Sequence, residues 1–236
     1  TSKERFERSV EKAKDYVTAG DIFQVVLSKR YDFQVRGNLI GFYRNLRKIN
    51  PSPYMYFLKS GEHQILGSSP EMLVRVENRA VETFPIAGTR PHVKDPKENK
   101  RLTEELLADP KERAEHIMLI DLERNDLGRI CIPGSIHVDE LMGLESFQHV
   151  HHIVSNVVGE LTEGTTPGEV IRAVFPGGTI TGCPKERCMQ IIAELEAVPR
   201  GAYTGSLGYI NHDGSMDLNI LIRTFELSSE QLSLRA

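Results

Sequence analysis

The 236-residue chain is 39% hydrophobic and 26% charged, an ordinary globular composition that excludes a disordered polymer. Its 29 basic and 33 acidic residues leave a net charge of −4, so no basic excess exists to neutralise the phosphates of a nucleic acid. No apolar run approaches the ~20 residues a membrane span needs, and the expectation is therefore a folded chain with neither nucleic-acid nor membrane partners.

Residues 3–19 predict an amphipathic helix, with Phe6, Val10, Ala13 and Val17 at three-to-four spacing, closed by Ala19-Gly20-Asp21. Residues 22–31 form a β-rich run, and residues 37–48 predict a second helix stopped by Asn50-Pro51-Ser52-Pro53. Short strands follow at 54–58, 64–67, 72–77 and 79–84, and residues 91–99 read as a polar loop rich in Lys and Pro. The longest helical stretch, 102–127, is interrupted at Asp109-Pro110 and ends at Gly128. Strands are expected at 136–138 and 147–161, helices at 167–174 and from Pro184 to near Pro199. A last hairpin spans 204–227 around His212-Asp213-Gly214, and residues 231–236 open another strand. Strands and helices mixed without strict βαβ alternation indicate an α+β chain built on largely antiparallel sheet.

Cys131, Cys183 and Cys188 cannot close a disulfide framework, so buried thiols in a reducing cytoplasm are expected. The start without Met and the stop within a strand pattern at Leu234-Arg235-Ala236 read as a fragment.

Five segments carry residue types suited to chemistry. Glu112 and Glu115 stand three apart on one helix face and could hold a hard cation such as Mg²⁺, which accepts one or two carboxylates and fills its other positions with water and substrate oxygens. A solvated charged face is the alternative, and Asp121, Glu123 and Asp126 extend the acidic stretch. The run from Phe175 to Lys185 contains three glycines and two threonines ahead of a helix whose first position is read as Pro184. Backbone N–H groups at such a start form an anion site, to which Lys185 adds charge. It fails the phosphate-loop pattern, because Cys183 stands where the lysine belongs, so a carboxylate is as suitable an anion as a phosphate. In Gln148-His149-Val150-His151-His152, strand alternation puts His149 and His151 on one face and His152 on the other, a poor arrangement for zinc. One of these histidines facing a pocket could serve as a general acid or hydrogen-bond donor. Pro85-Ile86-Ala87-Gly88-Thr89-Arg90 and Ser68-Ser69-Pro70-Glu71, each alone, are ordinary turns.

Taken together and in order, these segments resemble the chorismate-utilising enzymes, and within them the large subunits of the anthranilate synthases. The likeness runs through residues 20–27, Asn50 to Met55, Gly67 to Leu73, Pro85 to Arg90, Arg113 to Leu122, Arg124 to Arg129, His151 to Ser155, the 176–185 loop and Gly205 to Tyr209. It spans nearly the whole chain. The resemblance implies a single chorismate-binding catalytic domain over 1–236, incomplete at both ends, with a two-layer core of antiparallel sheets and helices packed outside. It also implies Mg²⁺-bound chorismate attacked at C2 by ammonia as the 4-hydroxyl leaves, followed by elimination of pyruvate. Residue by residue, Glu112 and Glu115 match metal-site carboxylates, Glu71 the acid that assists departure of the hydroxyl, and His152 the histidine beside the leaving group. Tyr203 and Arg223 match positions that hold a substrate carboxylate. Thr181 and Gly182 match contacts to another carboxylate, and Gly88 and Thr89 would line the ring.

Two positions separate family members. Isochorismate and salicylate synthases carry a water-activating Lys at the place of Gln24, whose amide does not titrate near neutral pH. Aminodeoxychorismate synthases typically carry a nucleophilic Lys at the place of Ala87. Gln24 and Ala87 therefore favour direct amination at C2, with a glutamine amidotransferase as the ammonia-delivering partner. Pro53, Tyr54 and Met55 resemble half of a feedback site for L-tryptophan, or else form a rigid Pro-rich turn. The alternatives are an aminating relative that stops at the 2-amino intermediate or makes aminodeoxychorismate, a non-catalytic tryptophan- or partner-binding fragment, and a nucleotide-dependent Mg²⁺ enzyme.

Overall fold

The computed structural model describes residues 2–228 and 231–236. In chain order the elements are α1 (Lys3–Thr18), β1 (Gln24–Val25), β2 (Arg30–Gln34), α2 (Leu39–Ile49), β3 (Tyr54–Ser60), β4 (His63–Ser69), β5 (Met72–Glu77), β6 (Ala80–Thr83) and β7 (Ile86–Pro91). They continue with α3 (Pro96–Ala108), α4 (Pro110–Leu127), β8 (His137–Ser146), β9 (Val150–Glu160), α5 (Pro167–Val174), a 3₁₀ turn Gly178–Ile180, β10 (Gly182–Cys183) and α6 (Lys185–Leu195). Strands β11 (Ser206–Ile210), β12 (Met216–Ile220), β13 (Thr224–Ser228) and β14 (Gln231–Arg235) close the sequence. The α+β class with antiparallel sheets follows the hydrophobic pattern.

The chain divides into two compact units: residues 1–71, 180–207 and 219–236 form one, residues 72–179 and 208–218 the other. The first holds a five-stranded antiparallel sheet in the order β2-β14-β13-β4-β3 and the small β1–β10 ribbon. Helix α2, capped by the Asn38 side chain on the Ile40 N–H at 2.8 Å, presses Leu39 onto Leu66 and Leu232. Tyr43, Leu46, Phe57 and Phe225 pack around that cluster. Ile22, Cys188 and Ile191 form a second cluster against Tyr16 and Leu195.

The second unit is organised by β9. Its eleven residues share one edge between β7, paired at Val150–Val154, and β6, paired at Val157–Glu160, and give the other edge to β8. Such a strand has neighbours on both sides along its length. His151, His152, Ile153, Val154 and Ser155 are all buried, and α3 and α4 pack against β7 and β9.

Local chemistry explains where the elements depart from the sequence expectation. The 22–31 run does not stay one strand: β1 pairs with β10, whereas β2 pairs with β14 in another sheet, and Val26 turns away to bond Thr181 O at 2.9 Å. Helix α3 begins inside the expected polar loop, because Asp95 accepts the Lys97 N–H at 2.9 Å and Pro96 opens the first turn. The break at Asp109-Pro110 falls where expected, with Asp109 ending α3 and capping α4 through Lys111 N at 2.9 Å. The expected 204–227 hairpin is a two-stranded hairpin plus β13, which belongs to the five-stranded sheet. Pro184 is the residue before α6, with extended backbone (φ −67°, ψ 139°), and Lys185 is its first helical residue. Among the described residues, no helix is long and apolar enough to cross a membrane.

Leu66 is fully buried at the centre of its cluster. Leu66→Ala is expected to cost about 2–5 kcal/mol through lost burial and the cavity left behind, read as a lower urea midpoint.

Candidate active site

In the second unit the site is built around an irregularity. Strand β7 pairs Ala87 with Ile153 and Thr89 with His152, so Gly88 is an extra residue bulged out of the ladder at φ +66°. The bulge turns the Gly88 carbonyl to His152 Nδ1 at 3.0 Å, with the Thr89 hydroxyl at 3.1 Å from the same nitrogen. A carbonyl only accepts, so Nδ1 carries the proton of the neutral ring and Nε2 carries the lone pair. The Phe147 ring packs edge-on against His152 at 5.7 Å.

A side chain at position 88 would meet Leu106 Cδ1 at 2.9 Å and Glu112 Oε2 at 3.2 Å. The absence of a Cβ there is what leaves room beside the Glu112 carboxylate. Glu112 lies in the first turn of α4 and Glu115 one turn on, both half-buried. Carboxylate oxygens suit a hard cation, and the gap at Gly88 leaves space beside one of them, so the pair fits Mg²⁺ held by two carboxylates with water and substrate completing the shell. Among the described residues no group of three or more His, Cys, Asp or Glu is placed to hold a metal ion.

Arg90, which the sequence presents as part of an ordinary turn, is the organising cation of this region. Its Nε donates to Glu105 at 3.1 Å, Nη2 to Asp109 at 3.0 Å, and Nη1 approaches Glu112 at 3.4 Å. The neighbouring face of β9 holds His151, whose Nε2 meets Asn99 Oδ1 and whose Nδ1 meets the Ser146 hydroxyl, each at 2.8 Å. Both nitrogens of the neutral ring are thereby satisfied, and burial holds its pKa below the usual histidine value. His149 does not share that strand face; it is exposed in the turn before β9.

His116 is the other functional-looking residue that sequence reasoning passed over. It is fully buried on α4, with Nε2 2.7 Å from the Ser155 hydroxyl, which also accepts the Met142 N–H at 2.8 Å. Its Nδ1 has no hydrogen-bond partner among the described residues. The advance signal was a histidine one turn before Leu119 and Ile120 on the buried side of α4.

In the first unit two groups form. Gln24 on β1 faces Cys183 across the ribbon, and the Cys188 thiol donates to the Gln24 carbonyl at 3.0 Å. A Cβ on Gly182 would collide with that carbonyl, and its φ of +130° suits glycine alone. Thr181 and Lys185 are buried beside it. The second group is joined by backbone bonds: Ile220 N–H to Glu71 O at 3.0 Å, Ser68 N–H to Arg223 O at 3.2 Å, and Thr204 N–H to Leu221 O at 2.9 Å. Arg223 (φ +50°) and Thr204 (φ +65°), the residue after Tyr203, hold left-handed backbone that costs a non-glycine residue energy, a common mark of functional positions. Glu71 is buried. Desolvation lowers the Arg223 pKa, and the charge of Glu71 opposes the shift. Tyr203 lines a cavity of about 430 Å³ with Arg200 and Glu226, and burial raises its pKa. Pro53 leads into β3, where Tyr54 and Met55 pair with Ser69 and Ser68; Ser68 also bonds the Asn50 carbonyl, fixing the Pro-rich turn. Cys131, Cys183 and Cys188 are unbridged, and burial pushes Cys131 and Cys188 up to about 11.

A protein family described as chorismate binding enzyme matches residues 1–236. The chain is 54% identical over 223 residues to anthranilate synthase component 1 of Aquifex aeolicus, covering 94% of this chain and 45% of that protein. It is 48% identical over 231 residues to aminodeoxychorismate synthase component 1 of Bacillus subtilis, covering 98% and 49%. The crystal structure of anthranilate synthase component I from Streptococcus pneumoniae superposes with a TM-score of 0.93 at 45% identity, covering all of this chain and 52% of that one. The chain thus spans about half the length of the relatives it matches.

Burial lowers the His116 pKa from 6.5 to about 4. Between those values the unfolded chain takes up a proton that the folded chain refuses, so stability is retained above pH 6.5 and falls as the pH drops. The loss at this one residue approaches about 3 kcal/mol below pH 4. Denaturant melts at pH 7 and pH 4 in metal-free buffer should show His116→Gln losing less stability than the wild type; equal losses would remove His116 as the cause.

Proposed function

Because the chain belongs to the chorismate-binding enzyme family, we propose that the protein makes anthranilate from chorismate. Ammonia attacks C2, the 4-hydroxyl leaves as water and the enolpyruvyl side chain is eliminated as pyruvate. The observation that carries this reading is the pair Gln24 and Ala87. Neither offers an amine: Gln24 has no base to activate water, and Ala87, buried on β7, has no nucleophile to form a covalent intermediate. An already nucleophilic ammonia needs neither.

The roles are those that the family resemblance implies for these residues. Glu71, a buried acid, delivers the proton with which the hydroxyl departs. His152, with its Nδ1–H fixed on Gly88 O, presents Nε2 as the nitrogen that takes or gives a proton beside the leaving group. Arg223 supplies a planar fork and Tyr203 a hydroxyl for one substrate carboxylate. Thr181, Gly182 and Lys185 offer donors to the other, and Gly88 and Thr89 line the ring. Glu112 and Glu115 would hold Mg²⁺, which when bound supplies positive charge against a substrate carboxylate. A glutamine amidotransferase is the ammonia-delivering partner, and Pro53, Tyr54 and Met55 are the residues proposed to meet L-tryptophan as feedback inhibitor. Unbridged cysteines suit a reducing cytoplasm.

The Bacillus subtilis relative supports a second reading, an aminodeoxychorismate-forming enzyme. Incubating the full-length natural protein with chorismate, Mg²⁺ and ammonium distinguishes them: anthranilate fluorescence with equimolar pyruvate is expected. An amino-chorismate of unchanged carbon count without pyruvate would overturn the choice. Glu71→Gln should lower kcat by about 10²-fold or more, as loss of a general acid does, with KM for chorismate little changed.

A further inference from the structure

We propose that Arg90 is the resident counter-cation of Glu112 and that it sets the threshold at which a divalent cation is taken up there. The inference rests on Glu112 and Glu115 being the Mg²⁺ carboxylates.

Three observations carry it. Arg90 is anchored independently of Glu112, at 3.1 Å to Glu105 and 3.0 Å to Asp109, and its contact to Glu112 is the longest of the three at 3.4 Å. The guanidinium therefore stays beside Glu112 whether or not that carboxylate turns to another cation. Both partners are largely withdrawn from water, the Arg90 side chain being 19% and the Glu112 side chain 18% exposed. In that setting a neighbouring unit charge is felt more strongly than on an open surface. Finally, the carboxylate is divided: Oε1 faces Arg90, while Oε2 faces the space left by the missing side chain at Gly88. Glu112 also sits in the first turn of α4, where the helix N-terminus favours negative charge. Arg90, although shared with Glu105 and Asp109, and the helix N-terminus both place positive potential on Glu112, so an incoming cation gains less there than it would without them.

The consequence runs opposite to that of a merely structural residue: removing the arginine should strengthen metal binding. Calorimetric titration of the full-length protein with magnesium chloride alone should show Arg90→Gln binding Mg²⁺ tighter by about fivefold to tenfold, the effect of deleting one nearby unit charge in a partly buried site. Arg90→Lys, which keeps the charge, should stay within about twofold of the wild type. Unchanged or weaker binding in Arg90→Gln overturns the proposal. Should that variant not fold, Glu105→Gln tests the same point, because freeing Arg90 from one anchor lets it lean on Glu112. It should weaken Mg²⁺ binding more than Glu104→Gln, a neighbouring change of equal charge on an exposed residue, and equal effects overturn the proposal. Glu112→Gln separates the two levels. If it titrates like the wild type, the metal reading of Glu112 fails; if it loses binding while Arg90→Gln binds no tighter, only the role of Arg90 fails.

Discussion

One surplus residue governs the second unit. Gly88 has no partner in the β7–β9 ladder, and its left-handed backbone turns a carbonyl that would have bonded along the sheet onto His152. The same bulge shifts Arg90 into line with His151 and brings it to the start of α4, where it meets three carboxylates. Because the bulge has no side chain, α4 approaches close enough for Glu112 to lie over it. The histidine tautomer, the helix approach and the acid's setting thus descend from a single backbone irregularity that only glycine accommodates.

The first unit is held by a buried charge knot. Glu196, 6% exposed in its side chain, lies between Arg200 and Arg235 and also accepts the Ser28 N–H and hydroxyl. Arg200 spends its remaining donors on Ile180 O and Val26 O, the carbonyls just outside the Thr181–Gly182 and Gln24–Val25 stretches. Arg235 reaches Ser28 and the carbonyls of Val198 and Pro199. Such a knot is a weak source of net stability, since desolvation offsets most of the attraction, but losing one partner strands a buried charge. Its use here is placement: it fixes the loop bearing Thr181 and the turn leading to Tyr203.

Several elements were legible in the residue order. Helices α1, α2 and α5, the strand at 72–77 and the break at Asp109 follow from apolar spacing and from Ser, Asn, Thr and Asp at helix starts, signals that act within four residues. The candidate residues of the 181–185 loop announced themselves through glycine and threonine density. The start of α3 was missed because Lys and Pro content outweighed an Asp-Pro start that caps as well as any. The 22–31 run is β-rich in composition throughout, and only the presence of two different partners, β10 and β14, divides it.

Sequence alone determined the class of the chain, its antiparallel bias and its family, and offered candidate site residues, because these depend on local periodicity and on motifs that stay in order. Tertiary structure decided which of those residues are held and how. Arg90 could not be recognised from Gly88-Thr89-Arg90, since its partners Glu105, Asp109 and Glu112 lie 15 to 22 residues away. His116 and Ser155 meet across 39 residues. An ion pair or a shared proton depends on distance in space and on exclusion of water, and neither is written in the spacing of residues along the chain.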